Sequence, residues 1–314
     1  MANFKLQVAS KSARACNPTS DAKMRNLNTR PLLNGDATVS AALSSVMEEL
    51  APVSATPRLD AELLLMAVCG LDRVQLITHA QVILTDEQTQ RLRAFVARRR
   101  NGEPIAYLMG TREFWSMELS VSASVLIPRP DTEVLVEHTL ACIPSDAQWT
   151  VVDMGTGCGA IALALAKERP RCRVIATDNS LEALRTAQQN AARLALRAIE
   201  FRHGHWLAPV AGETLHVLVS NPPYIRDDDP CLTTGEVRFE PIRALAGGAD
   251  GLDAIRHLVA HARTCLQPGG WLVLEHGSDQ ARAVRELMRR AGYDDVAGYA
   301  DLAGFDRVSR AHNP

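Results

Sequence analysis

Three things are scarce in this 314-residue chain, and each scarcity removes a class of protein. No apolar run approaches the roughly 20 residues of a transmembrane helix, so no helical membrane span is expected. An excess of charge of one sign is nearly absent: 34 basic against 36 acidic residues leave a net charge of −2, which argues against a nucleic-acid binder that relies on bulk positive charge. The seven cysteines (Cys16, Cys69, Cys142, Cys158, Cys172, Cys231, Cys265) include no Cys-x-x-Cys pair, and no secretory signal precedes them. That combination points to the reducing cytoplasm and to no structural zinc. The composition, 46% hydrophobic and 22% charged, is that of a soluble globular protein long enough for one large or two ordinary domains.

Residues 1–36 are basic and lack a sustained apolar period, and they read as a disordered extension. From 37 to 110 the period is helical. Val39, Leu43, Val46, Met47 and Leu50 share one face, Pro57 suits a first helical turn, and Thr85 with Gln88 forms a capping box. The last helix of this group runs into Arg98-Arg99-Arg100-Asn101-Gly102, which reads as a solvated, cation-rich helix end. Residues 111–130 switch toward period two and predict a β-hairpin linking this helical domain to the next, with Phe114 and Trp115 expected as packing residues between the domains. From 131 to 314 strand and helix alternate: Thr150–Met154, Arg173–Asp178, Ile199–Phe201 and Val217–Ser220 are strands, and Asn179 is the expected cap of the helix after the second. The fold class is therefore α/β, a mostly parallel sheet with helices on both faces and ligands at the strands' carboxyl ends.

Two turns in this second half carry chemistry. Strand Val217–Ser220 runs into Asn221-Pro222-Pro223-Tyr224, where the prolines end the ladder and leave the carbonyls beside Asn221 and Pro222 facing a cleft. The Asn221 amide oxygen and a rigid carbonyl make two fixed acceptors, suited to a planar NH2 group, and Tyr224 offers a flat packing face. Holding both hydrogens of such a nitrogen favours a pyramidal form whose lone pair faces an electrophile. The first strand runs into Gly155-Thr156-Gly157-Cys158-Gly159, and Asp178 ends the second strand, placed to take two ribose hydroxyls. Gly-x-Gly-x-Gly is tighter than the dinucleotide spacing Gly-x-Gly-x-x-Gly and suits a ligand without pyrophosphate, such as S-adenosyl-L-methionine.

At this point the chain, from about Val39 to its end, resembles the HemK/PrmC release-factor glutamine methyltransferases. The segments that carry the likeness are Arg98 to Leu108, Gly110 to Trp115, Leu126 to Glu133, Asp153 to Gly159, Asn221 to Tyr224 and Val237 to Pro241. The resemblance implies a seven-stranded, Rossmann-like class I methyltransferase domain behind a small N-terminal helical domain that recognises the substrate. It implies methylation of the glutamine amide in the Gly-Gly-Gln loop of class-one peptide chain release factors, in the cytoplasm. By matching position, Gly155 to Gly159, Asp178, Trp206 and Asn221 contact S-adenosylmethionine, and Asn221 to Tyr224 hold the glutamine. The chain departs from the family at His205, where an acid usually precedes the aromatic.

The same tetrapeptide would also suit a ribosomal-protein glutamine or the exocyclic amine of adenine in nucleic acid, although no Lys/Arg-rich recognition segment is present. A non-catalytic adaptor is a third reading, opposed by the intact glycine turn and Asp178. His203, His205 and the run Asp227-Asp228-Asp229 are expected to be loop residues, with no metal.

Overall fold

The computed structural model describes residues 36–314, which form two compact units, 36–110 and Thr111–Pro314. The expected extension lies, except for Asp36, outside the described residues.

The smaller unit is helical. α1 (Val39–Leu50) is capped by the Thr38 hydroxyl, which accepts from Ala41 N at 3.2 Å. α2 (Pro57–Cys69) has proline in its first turn and ends at Gly70 in the left-handed region, where a side chain would be strained. Capping boxes open α3 (Arg73–Thr78) at Asp72/Gln75 and α4 (Asp86–Arg100) at Thr85/Gln88, and α5 (Ile105–Met109) closes the unit. The apolar faces converge on Val46, Leu50, Leu64, Leu65, Leu92 and Val96, all fully buried. One expectation fails here. Arg99 is buried, and its Nε donates to the equally buried Asp60 at 2.7 Å, so the arginine run is only partly a solvated helix end. Arg98 and Arg100 do pair at the surface, with Glu103 and Glu49.

The larger unit begins with hairpin β1 (Thr111–Phe114) and β2 (Met117–Ser120), whose turn residues Trp115 and Ser116 both have φ of 53°. Asn190 pins the hairpin: its Oδ1 accepts from Ser120 N at 2.7 Å and its Nδ2 donates to Ser120 O at 3.0 Å. Trp115 N and its indole reach Glu133 and Glu168, so the hairpin is built into this unit as well as following the helices. Then come α6 (Thr132–Leu140), β3 (Thr150–Met154), α7 (Ala160–Glu168), β4 (Arg173–Asp178), α8 (Leu181–Arg193), β5 (Ile199–His203) and β6 (Leu215–Ser220). A long connection with short 3-10 turns leads to α9 (Asp253–His261), β7 (Leu266–Glu275), α10 (Ala281–Arg290), β8 (Asp294–Ala300) and β9 (Asp306–His312). The cap of α8 is Ser180, whose Oγ accepts from Ala183 N, and not Asn179. One residue's shift decides it: Ser180 stands in extended geometry, φ −107° and ψ 115°, directly before the first helical turn.

The seven strands lie in the order β5-β4-β3-β6-β7-β9-β8, parallel except that β9 runs antiparallel to both neighbours. Strands β3, β4, β6 and β7 read as near-continuous apolar runs because both faces are covered. The chain leaves β3 toward β5 and then returns to lay β6 on its other side, which opens a crevice at the carboxyl ends of β3 and β6. Among the described residues, no helix is long and apolar enough to cross a membrane.

Candidate active site

The register of the central strands assembles the site. Met154 pairs with Thr177 on one side and with Ser220 on the other, and Ser220 pairs with Leu274. The next residues along these strands, Gly155, Asp178, Asn221 and Glu275, therefore emerge side by side from one edge of the sheet. The Ser220 hydroxyl also donates to Met154 O at 2.7 Å, which ties the two turn-bearing strands together where they end.

Gly155, Gly157, Asp178, Trp206, Asn221, Pro222 and Pro223 line one cavity that holds about 810 Å³ of empty space, its mouth to solvent included. Gly155 and Gly157 have φ of +77° and +57°, and an added Cβ at either would meet no atom within 4 Å. Their backbone thus faces open space in a conformation that L side chains resist. Asp178 holds this turn, accepting from Gly157 N at 2.9 Å through Oδ2 and from Ser180 N at 2.8 Å through Oδ1. Thr156 and Cys158 line a smaller neighbouring cavity of about 400 Å³, shared with Asn221, Arg129 and Thr132.

Two predicted residues do other work. Gly159 borders neither cavity; a Cβ there would sit 3.1 Å from Ala187 Cβ and from Leu163 Cδ1, so this glycine lets α7 approach α8. Tyr224 also lies outside both linings, and its hydroxyl donates to Glu275 Oε1 at 3.2 Å. Cys158 is buried, and burial pushes its thiol up to about 12, so it is inert as an ionisable group. Its carbonyl accepts from Asn190 Nδ2 at 2.9 Å, which links the glycine turn to the hairpin. His203 is exposed at the end of β5, whereas His205 joins the cavity wall beside Trp206. The indole of Trp206 is flanked by the His205 ring edge-on at 5.5 Å and the His257 ring at 5.3 Å. The three aspartates after Arg226 are spent on the loop: Asp227 accepts from Gly248 N, Asp228 pairs with Arg226 and Asp229 caps a 3-10 turn.

The Asn-Pro-Pro-Tyr turn is gripped from outside. Ile225 bridges Ala246, and Gln280 Nε2 donates to Tyr224 O at 2.9 Å. A Cβ on Gly247 would come within 2.6 Å of Pro223 O, and one on Gly251 within 2.3 Å of Tyr224 O. Those two carbonyls are thus enclosed by protein. Among the described residues no hydrogen bond ends on Pro222 O. Asn221 Nδ2 donates to Thr132 Oγ1 at 3.3 Å, leaving the amide oxygen for a ligand.

Several contributors were not visible as site residues in the sequence. Arg243 lines the large cavity and donates to Ser180 Oγ at 2.6 Å. Glu240, fully buried, accepts from Ile127 N at 3.0 Å and pairs with Arg129, which fastens the Leu126–Glu133 segment against the cavity. Asp153, buried below the glycine turn, accepts from Thr156 Oγ1 at 2.6 Å and Ala162 N at 3.0 Å. Burial pushes its carboxyl up to about 7, with Thr156 and Ala162 pulling the other way.

A doubly wound sheet with a glycine turn, a strand-end aspartate and an Asn-Pro-Pro-Tyr turn on one cavity defines a class I methyltransferase, and the family comparisons agree. Residues 130–236 match the methyltransferase small domain, and residues 41–110 match the PrmC N-terminal domain. Curated relatives named release factor glutamine methyltransferase include one from Coxiella burnetii, 45% identical over 270 residues, 86% of this chain and 97% of that one. Another, from Xylella fastidiosa, is 49% identical over 82% of this chain and 94% of its own length. A third, from Escherichia coli, is 48% identical over 82% of this chain and 92% of its own. The chain belongs to the release factor glutamine methyltransferase family.

Proposed function

We propose that this chain transfers a methyl group from S-adenosyl-L-methionine to the side-chain amide nitrogen of the Gly-Gly-Gln glutamine in a class-one peptide chain release factor, in the cytoplasm. The observation that carries the reading is the strand register that brings Asn221 and the open faces of Gly155 and Gly157 into one cavity with Asp178. Membership of the family supplies the acceptor class, and the near-neutral charge offers no footprint for nucleic acid.

The residues fit the donor. Glycine backbone at positive φ with nothing opposite leaves room for the amino-acid tail, the Asp178 carboxylate can accept from ribose hydroxyls while holding the turn, and Trp206 gives a face for adenine. When bound, S-adenosylmethionine supplies an electrophilic methyl group on a sulfonium.

The chain's part is positioning. An amide nitrogen is a poor nucleophile because its lone pair is delocalised into the carbonyl. Asn221 Oδ1 and Pro222 O would accept its two hydrogens, fix its orientation and favour the pyramidal form, so that its lone pair points along the line of displacement. Once the new N–C bond forms, one N–H proton passes to water and no general base is required. The test is to incubate the enzyme and labelled S-adenosylmethionine separately with purified release factor, ribosomal protein and duplex DNA, and to map the label. Label on the glutamine of the Gly-Gly-Gln loop supports the reading; label only on a ribosomal protein or duplex DNA overturns it.

A further inference from the structure

Beneath the acceptor turn lies a buried carboxyl that the displacement itself does not use. Glu275 ends β7 directly beside Asn221, a consequence of the pairing of Ser220 with Leu274, and it is 1% exposed. Its Oε1 accepts from the Tyr224 hydroxyl at 3.2 Å, while Oε2, also buried, makes no hydrogen bond among the described residues. Thr132, the first residue of α6, makes no hydrogen bond with this carboxyl as it stands, but its hydroxyl is near enough to pull the carboxyl's pKa down. The same Thr132 oxygen accepts from Asn221 Nδ2.

A hydroxyl has one proton and two lone pairs. When the Thr132 proton turns toward a carboxylate, only lone pairs remain for Asn221. The amide must then present its NH2 group to Thr132 and its oxygen to the cavity. When the carboxyl is neutral that constraint relaxes, and the Thr132 proton can turn to Asn221 and draw the amide oxygen inward. We propose that ionised Glu275 is a positioning residue: through Thr132 it sets which end of the Asn221 amide meets the acceptor glutamine, and through Tyr224 it fixes the seat of the turn. The inference rests on the reading of Asn221 as an acceptor for the substrate amide.

The charged and titratable groups that act on Glu275 are Asp131 at the start of α6, Tyr224 in the turn and Arg307 on β9; His276 follows it just past the end of β7, Arg129 acts on Asp131 and Tyr224, and Asp301, between β8 and β9, pairs with Arg307. Arg307 pairs with Asp301 at 3.0 Å and lies 3.8 Å from Asp131, so it serves all three acids, not Glu275 alone. Burial raises the Glu275 carboxyl to about 7; Thr132, Tyr224 and Arg307 lower it, and Asp131 adds to the rise. A carboxyl raised in this way is neutral below that pH, so the ordering of Asn221 is lost as pH falls through it.

Steady-state methylation of release factor by the full chain tests this with Glu275→Gln, Thr132→Val and Thr132→Ser. For E275Q the expected result is a kcat lower by about 10²-fold, the cost of a misplaced reacting group, with the KM for S-adenosylmethionine little changed. Wild-type kcat is expected to rise with pH around neutrality, and that rise should be missing from E275Q. T132V should lose activity comparably and T132S should restore most of it, a pattern that stands even if E275Q melts too early to assay. E275Q with the wild-type kcat and pH profile, or T132V as active as T132S, overturns the proposal. A release factor left unlabelled by the wild-type enzyme overturns the acceptor reading itself, and this inference with it.

Discussion

The two turns that meet in the cavity are built in opposite ways. The glycine turn is shaped by backbone: Gly155 and Thr156 N–H groups both donate to Thr177 O, Gly157 N donates to Asp178, and positive φ keeps side chains out. The Asn-Pro-Pro-Tyr turn is shaped by side chains: proline rings stop the ladder, and Thr132 and Glu275 engage Asn221 and Tyr224 from below. A donor-binding surface that must come close to its ligand loses by gaining atoms. An acceptor-orienting surface loses when one atom type is removed.

That contrast predicts separable failures. The largest is Asn221→Ala, which removes a hydrogen-bond acceptor aimed at the reacting nitrogen. Its kcat should fall by about 10²–10³-fold, by analogy with loss of a single preorganised catalytic hydrogen bond, while S-adenosylmethionine affinity measured by calorimetry changes much less. If calorimetry instead showed cofactor binding abolished, the division between the two turns would be broken.

Next is the stability of the donor side. Asp153 has a folded-state pKa raised to about 7 by burial, so its stabilising contribution is complete below the ordinary aspartate range and is lost as pH rises through 7. Asp153→Asn mimics the neutral form. The stability of D153N relative to wild type should therefore climb between pH 4 and 7 by up to about 4 kcal/mol and then level off, as followed by denaturant melts at several pH values. A difference that stays constant with pH would show Asp153 to be unperturbed. Glu275 adds a slope of the same sign in both proteins, which the subtraction removes.

The smallest effect sharpens the comparison most. Gly157→Ala meets no atom, so its cost is that of forcing an L residue to φ +57°, about 1–2 kcal/mol. If that strain falls on the bound state, S-adenosylmethionine affinity should weaken by about 5–30-fold with kcat at saturation nearly unchanged. A Gly157→Ala enzyme with normal affinity and depressed kcat would put Gly157 on the acceptor side of the division.

Much of this architecture is legible in the order of residues. The alternation of strands and helices, the glycine turn, Asp178 and the proline-stiffened turn are local patterns, and the structure brings them onto one cavity. What is not legible is long-range pairing. The sequence offers Tyr224 as a flat face, but its hydroxyl meets a carboxyl 51 residues later. Nothing local marks Thr132 as the partner of Asn221 across 89 residues, or Arg99 as the partner of Asp60 across 39. Gly159 carries the signature of a ligand-approach glycine, yet its contact is with Ala187 on another helix. The Ser180 cap differs from the expected Asn179 by one residue, a choice made by backbone geometry between two residues that cap about equally well.

The central claim is tested most directly by mass spectrometry of the Gly-Gly-Gln peptide after purified release factor has been incubated with S-adenosylmethionine and either wild-type enzyme or Asn221→Ala. The account predicts one added methyl group on the glutamine side chain with wild type, and almost none with the variant under the same conditions. Methylation by Asn221→Ala at close to the wild-type rate would contradict it.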